Sequence, residues 1–290
     1  MYRKIVVGHD LHDGGSDALA LGRLVAGATG GKLIVAGVFP VGVLPRGFEA
    51  RWRDEEEGVA AEIQSIADEA GAEPEAFPSS SPARGLHDLA EEIDADLIVV
   101  GSSRHSKAGQ ILAGNVGGQL LHGSPCAVAV APRDYRDHAP AELGAVTVGF
   151  DGSYESDLAL RAGVALARAS GAVLKVVAVA VPPPVVRSRG GGRGGGYEAL
   201  REAIEEQVRE QLTEAVGSVP DEIAAEATLL SGDPAERLVE AGADGQLLIL
   251  GSRAYGPLRR VVLGSVSSAI VRSARCPVLV QPRGTARHAG

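Results

Sequence analysis

A chain of 290 residues is long for one domain and comfortable for two of about 140. Its 45% apolar and 22% charged residues exclude a disordered chain, and its longest apolar runs fall short of the ~18 residues of a membrane-spanning helix. A net charge of −9 and an aromatic content of 3% exclude a nucleic-acid surface, which needs clustered Lys and Arg and platforms for stacking.

The opening run, Met1-Tyr-Arg-Lys-Ile-Val-Val-Gly8-His-Asp10, enters a strand at once. It leaves no room for a signal peptide and predicts a cytoplasmic location. The strand ends on a carboxylate. An alanine-rich helix over 16–28 follows, with Ser16 as its expected N-cap and Gly30-Gly31 at its C-terminus. The nearby Ala26…Gly31-Lys32 misses a P-loop: it lacks the first glycine and the Ser/Thr, and it ends a helix rather than opening one. A second strand, Leu33–Val38, leads to an irregular segment, a charged helix at 54–70 and a short strand near 72–78. Pro82 opens a third helix. The apolar run Asp96-Leu-Ile-Val-Val-Gly101 then feeds a glycine-rich segment, a helix over 115–122 and a fifth strand from Cys126.

The same order repeats. Ala145-Val-Thr-Val-Gly149-Phe-Asp151 matches the first strand, and a helix over 156–169, with Ser156 as expected N-cap, ends at Ser170-Gly171. Strands at 174–179, 223–230 and 246–251 and helices at 197–216, from Pro234 and at 265–273 complete the copy, which closes on a strand from Cys276. The polar stretch 133–144 reads as a linker between domains at 1–135 and 144–283. The insertion Pro182–Gly196 holds six glycines in seven positions and is expected to be mobile. Its Arg187, Arg189 and Arg193 can close over an anion, or the segment is simply a solvated linker.

Strands that read as near-continuous apolar runs and alternate with helices predict an α/β chain of two tandem, doubly wound, five-stranded parallel-sheet domains. Ligands on such sheets sit at the C-terminal ends of the strands, where the strand order switches. If the first and fourth strands are neighbours, Asp10 and Gly101 face one crevice, and Asp151 and Gly251 another. A buried strand that ends in a Gly/Ser loop and then opens a helix is a geometry that holds phosphate. The two segments are Gly251-Ser252-Arg253-Ala254…Gly264-Ser265-Val266-Ser267 and Gly101-Ser102-Ser103-Arg104…Gly114-Asn115-Val116. Capping of the following turn is the alternative role for Asp10 and Asp151. Close packing is the alternative for Gly114 and Gly264. Cys126 and Cys276 read as small buried strand residues, and no Cys/His cluster suggests a metal site. No Ser-His-Asp or paired-carboxylate arrangement stands out, and His87 and His105 read as surface residues.

At these residues the chain resembles the universal stress protein family in its tandem form. The nucleotide-binding branch of that family carries Gly-x2-Gly-x9-Gly-(Ser/Thr). The C-terminal copy departs from it at Ala254, and the N-terminal copy departs at Arg104 and Asn115. The resemblance implies a Rossmann-like fold of the adenine-nucleotide α-hydrolase type, with ATP as ligand, with or without magnesium. It implies ribose on Asp10 and Asp151, beside Gly8 and Gly149, and adenine on the backbone of Val38 and Val179. It implies phosphates on Gly101, Ser102, Ser103, Arg104, Gly114, Asn115 and Val116, and on Gly251, Ser252, Arg253, Ala254, Gly264, Ser265, Val266 and Ser267. The implied work is nucleotide-dependent binding in stress signalling, with at most slow hydrolysis and a downstream protein partner the sequence does not name. An interaction module that does not bind ATP, or an AMP-forming or flavin-binding relative, stands as the alternative. The fifth strands are expected to be assembly edges, pairing within the chain or in a homodimer.

Overall fold

The computed structural model describes residues 1–40, 49–103, 107–111, 114–184, 195–243, 246–252 and 263–282. The first half runs β1 (Lys4–Gly8), α1 (Asp13–Thr29), β2 (Lys32–Pro40), α2 (Glu49–Ala70), β3 (Glu73–Ser79), α3 (Pro82–Glu92), β4 (Leu97–Gly101), α4 (Asn115–Leu120) and β5 (Ala127–Ala131). The second runs β6 (Ala145–Phe150), α5 (Tyr154–Ser170), β7 (Val173–Ala180), α6 (Gly195–Gly217), β8 (Ala225–Ser231), α7 (Pro234–Ala243), β9 (Leu247–Gly251), α8 (Ser265–Ser273) and β10 (Val278–Gln281). The expected strands and helices are present, and the two halves follow one design.

Each half is a parallel sheet, ordered β3-β2-β1-β4-β5 in the first and β8-β7-β6-β9-β10 in the second. The two join where β5 and β10 pair antiparallel, Val278 opposite Val130, Leu279 opposite Ala129 and Val280 opposite Val128. The fifth strands therefore meet within the chain, as the pattern of assembly edges allows. Because the seam is antiparallel, the C-terminal strand ends of the two halves point in opposite directions.

Side chains alternate across the strands. Ile5, Val7, Val148 and Ile249 join one core under α1, α5 and α6, with Val35, Ile63 and Ala67 packed under α2 on the same face. Val6, Ile98, Val130, Leu248 and Val280 join the other, under α3, α4, α7 and α8. Full burial of such a side chain stabilises by roughly 1.5–3 kcal/mol. Both cores cross the seam without a break.

Two expectations are corrected. Ser16 and Ser156 are not the N-caps. α1 begins three residues earlier and α5 two, with His12 capping α1 and Ser153 capping α5, because the polar turn residues are already helical. The stretch predicted as a linker is pinned to the first half. Asp17 of α1, only 1% exposed, accepts from Asp134 N at 2.9 Å and Arg136 N at 3.0 Å. Arg136 in turn donates to the Asp13 carbonyl at 3.1 Å and pairs with the Asp13 carboxylate at 3.0 Å. A single 3-10 turn, Tyr135–Asp137, results, with Tyr135 buried. The glycine ends of α1 and α5 are as expected, with Gly30 and Gly171 left-handed at φ 66° and 74°. Arg187, Arg189 and Arg193 lie outside the described residues. No helix among the described residues is long and apolar enough to cross a membrane.

Asp17→Ala leaves two backbone donors without their acceptor and is expected to destabilise the chain by about 2 kcal/mol. Urea unfolding measures it.

Candidate functional site

In each half the chain leaves β1 (or β6) toward one edge and returns to its other side with β4 (or β9), so these two strands are neighbours. The crevice at their C-terminal ends is the topological switch point. It brings Asp10 beside Gly101 and Asp151 beside Gly251.

The neighbouring β2 and β7 outlast the first strand. The β1–β2 ladder ends with Gly8 opposite Ala36, where His9 N donates to Ala36 O at 2.8 Å. Peptide groups alternate sides along a strand. Val38, two residues beyond Ala36, therefore presents its N–H and C=O on the same side, past the end of β1. In the second half Ala180 O accepts from Gly232 N at 3.1 Å on the β8 side. Val179 thus turns its peptide groups toward β6, which ends with Phe150 opposite Ala178. Among the described residues Val38 thus carries a donor and an acceptor with no ladder partner, whereas the Phe150–Ala178 register takes the Val179 N–H on the Phe150 carbonyl and leaves only the Val179 C=O open.

The two carboxylates work differently. Asp10 Oδ1 accepts from His12 N at 3.1 Å and Gly15 N at 3.0 Å, so it caps α1, whose own N-cap His12 makes no side-chain bond. Asp151 Oδ1 accepts from the backbone N and the hydroxyl of Ser153. The helix is capped by Ser153 itself, whose Oγ accepts from Ser156 N at 3.2 Å. The capping alternative thus holds for Asp10, whereas Asp151 braces the residue that caps. Each carboxylate is followed by a left-handed residue, Leu11 at φ 59° and Gly152 at φ 74°. For leucine this costs roughly 1–2 kcal/mol, offset in part as Leu11 packs against the Val35–Ile63–Ala67 cluster. The Gly/Ser composition after each carboxylate predicts a turn, but its left-handed position went unread, although the dipeptide Asp151-Gly152 signals it.

His9 was also missed. It is 7% exposed, and its Nδ1 accepts from Leu11 N at 3.1 Å, which places the ring proton on Nε2. Burial pushes its pKa below the ordinary imidazole value, against the pull of the Asp10 charge and with a small push from His12. Phe150 fills the matching position in the second half.

The first glycine of each segment is a packing glycine. A Cβ on Gly101 would lie 2.0 Å from the Gly14 carbonyl oxygen, and one on Gly251 would lie 2.4 Å from that of Glu155. These glycines let the first turns of α1 and α5 rest on the ends of β4 and β9. Gly8 and Gly149 sit under Leu86 and under Leu250 and Leu238. Among the described residues the nearest atom to a Cβ added at Gly114 is Ser103 Cβ, at an ordinary 3.4 Å. Packing therefore does not demand glycine there. Gly114 and Gly264 are the extended N-caps of α4 and α8 and supply no side-chain cap to the first turns. The N–H groups at Asn115 and Val116, and at Ser265 and Val266, belong to those turns. α8 has nine residues and α4 six.

The serines differ as well. Ser102 Oγ donates to Ala131 O at 2.7 Å. Ser252 Oγ is fully buried with no hydrogen-bond partner among the described residues, while its N–H donates to Gln281 O at 2.9 Å. Ser267 Oγ donates to Gly251 O at 3.3 Å, tying the first turn of α8 to the end of β9. Arg104, Arg253 and Ala254 lie outside the described residues. Cys126 and Cys276 are free and buried, and burial pushes both thiols up to about 12, so they are unreactive.

Gly101→Ala and Gly251→Ala are expected to destabilise the fold by about 2 kcal/mol or more through overpacking, whereas Gly114→Ala is tolerated. Chemical denaturation of the three variants distinguishes them. His9 gives a pH dependence of definite sign. Folded His9 stays neutral where the unfolded imidazole takes a proton, so stability falls as pH drops below about 6.5. His9→Phe is expected to remove that part of the slope, read from urea midpoints between about pH 7.5 and about pH 5.5.

The universal stress protein family model matches residues 1–132 and 143–282. A universal stress protein of Mycobacterium tuberculosis (strain ATCC 25618 / H37Rv) is 30% identical over 211 residues, 70% of this chain and 69% of that protein. The crystal structure of a universal stress protein from Archaeoglobus fulgidus DSM 4304 superposes with a TM-score of 0.67, covering 98% of this chain and 100% of that one at 22% identity. A structure described as a putative universal stress protein from Pseudomonas aeruginosa UCBPP-PA14 gives 0.64, with 97% and 94% covered at 18% identity. The two structures share the fold. Matched by the family model across both halves, the chain belongs to the universal stress protein family.

Proposed function

We propose that this universal stress protein binds ATP at the switch-point crevices and works in the cytoplasm by nucleotide-dependent binding of a downstream protein. The observation that carries the reading is the strand edge left open beyond the first strand, N–H and C=O at Val38 and C=O at Val179, flanked on one side by a carboxylate and on the other by a glycine-capped helix. An adenine ring has an amino donor beside a ring-nitrogen acceptor, which suits one C=O and one N–H. A ribose diol has two donors, which suit a carboxylate. Phosphates suit the helix N-terminus and the glycine loop. In the second half the hydroxyl of Ser252, without a partner among the described residues, stands next to Gly251 as a further donor. Magnesium, where present, would ride on the phosphates rather than on a protein cage. Hydrolysis is expected to be slow at most, because no motif sets a general base beside the phosphate end.

The crevices are unequal in this reading. Asp10 already spends one oxygen on α1, Ser102 spends its hydroxyl on β5, and Arg104 stands where the motif has glycine. The second half keeps Asp151 off the helix and has Ser265 in the motif's Ser/Thr position. A second reading, in which the first half is an interaction module without nucleotide, draws on the same observations.

Asp151→Ala or Gly264→Val is expected to weaken ATP binding at least about tenfold more than Asp10→Ala. Calorimetric titration of the three variants measures it, with urea unfolding as control because Asp10→Ala also uncaps α1. Equal losses would remove the inequality. An absence of binding heat, with no nucleotide released when the purified protein is denatured, would remove the reading.

A further inference from the structure

The glycine segment of the first crevice is not held by its own half alone. Gly109 N donates to Arg133 O at 2.9 Å and Arg133 N to Gln110 O at 3.2 Å, which lays the segment alongside the exit of β5. The next residue crosses the seam. Ile111 N donates to Ala274 O at 2.9 Å. Ala274 is the residue that ends α8 in the second half, and its own N–H closes that helix on Ile270 O at 2.8 Å. The Ile111 side chain is 1% exposed and buried in the core shared by Leu120 and Leu121 from the first half with Ile270, Val271 and Ala274 from the second.

This placement has two ends. Ile111 lies three residues before Gly114, the N-cap of α4, and so sits within ~10 Å of chain from the first crevice. Ala274 is the back of a helix whose front, Gly264 and Ser265, faces the second crevice and is tied to β9 through Ser267 and Gly251. A helix of nine residues is ~14 Å long and moves as a rod. We infer that Ile111 is a positioning residue that couples the two crevices: it seats the glycine segment of one on the helix that serves the other. The inference rests on the nucleotide reading above. A ligand that draws in the first turn of α8 settles Ala274, and with it the segment 109–111. By linkage, a ligand at the first crevice favours binding at the second by the same factor, in the range of roughly 5–150-fold. Because the first ligand orders a segment the second also needs, the coupling is positive.

The test uses the full chain with ATP and amide hydrogen exchange. Asp10→Ala confines ATP to the second crevice. In that variant, ATP is expected to slow exchange at 265–271 and also, by about fivefold or more, at 109–111. Adding Ile111→Ala is expected to keep the first effect and abolish the second, a split that a purely structural role for Ile111 would not produce. Protection at 265–271 with none at 109–111 in the Asp10→Ala chain would overturn the coupling while leaving the nucleotide reading intact. So would unchanged protection at 109–111 once Ile111 is shortened. No protection at either segment would remove the nucleotide reading, and the coupling with it. Should Ile111→Ala not fold, Ile111→Val, one methylene shorter, is expected to reduce the protection at 109–111, and undiminished protection would count against the proposal.

Discussion

Three residue pairs at the seam, Val278 with Val130, Leu279 with Ala129 and Val280 with Val128, decide the rest of the architecture. Fully apolar fifth strands cannot be left as solvent-facing edges without inviting unregulated pairing. Pairing them antiparallel closes both edges at once. It makes the cores continuous, and it turns the strand ends of one half toward the strand beginnings of the other. Contacts that cross the seam follow from this inversion. Tyr2, just ahead of β1, donates its hydroxyl to Gln281 Oε1 at 2.9 Å at the far end of β10, and Ile111 reaches the back of α8. The clamp of Asp17 on Asp134 and Arg136 holds the short connection that such a join requires.

Within this frame the two halves solve one local problem differently. The turn after the first strand must enter a helix, and its free N–H groups need an acceptor. In the second half Ser153 provides it, and Asp151 braces that serine. In the first half His12 provides none, and Asp10 takes the task. The left-handed position in the same turn is glycine in one copy and leucine in the other. Each carboxylate commits its Oδ1 to the turn, so the copies differ in what that oxygen holds: the helix itself at Asp10 and the capping serine at Asp151.

The strand pattern was legible because parallel strands buried on both faces read as unbroken apolar runs. The juxtaposition of Asp10 with Gly101 and of Asp151 with Gly251 followed from the repeat together with the switch-point rule. The start of α1 was misplaced by three residues because Asp13, Gly14 and Gly15 are weak helix formers whose turn is held by Asp10 from outside it. The packing role of Gly101 and Gly251 was hidden for another reason. It depends on where the carbonyls of Gly14 and Glu155 lie over the sheet, and no local pattern states that. The same holds for Ser252, whose sequence neighbourhood resembles that of Ser102 while its hydrogen bonding does not.

The linker clamp has a consequence for how such a chain can change over time. Two separate domains that met through their fifth strands would associate only at sufficient concentration, and every pair would be drawn from one pool. Joined by a connection that is itself pinned to α1, the halves meet at a high effective concentration whatever the abundance of the chain. Each molecule therefore carries one fixed, unlike pair. One half can drift in sequence, as at Arg104 and Asn115, and still be retained as the permanent scaffold of the other.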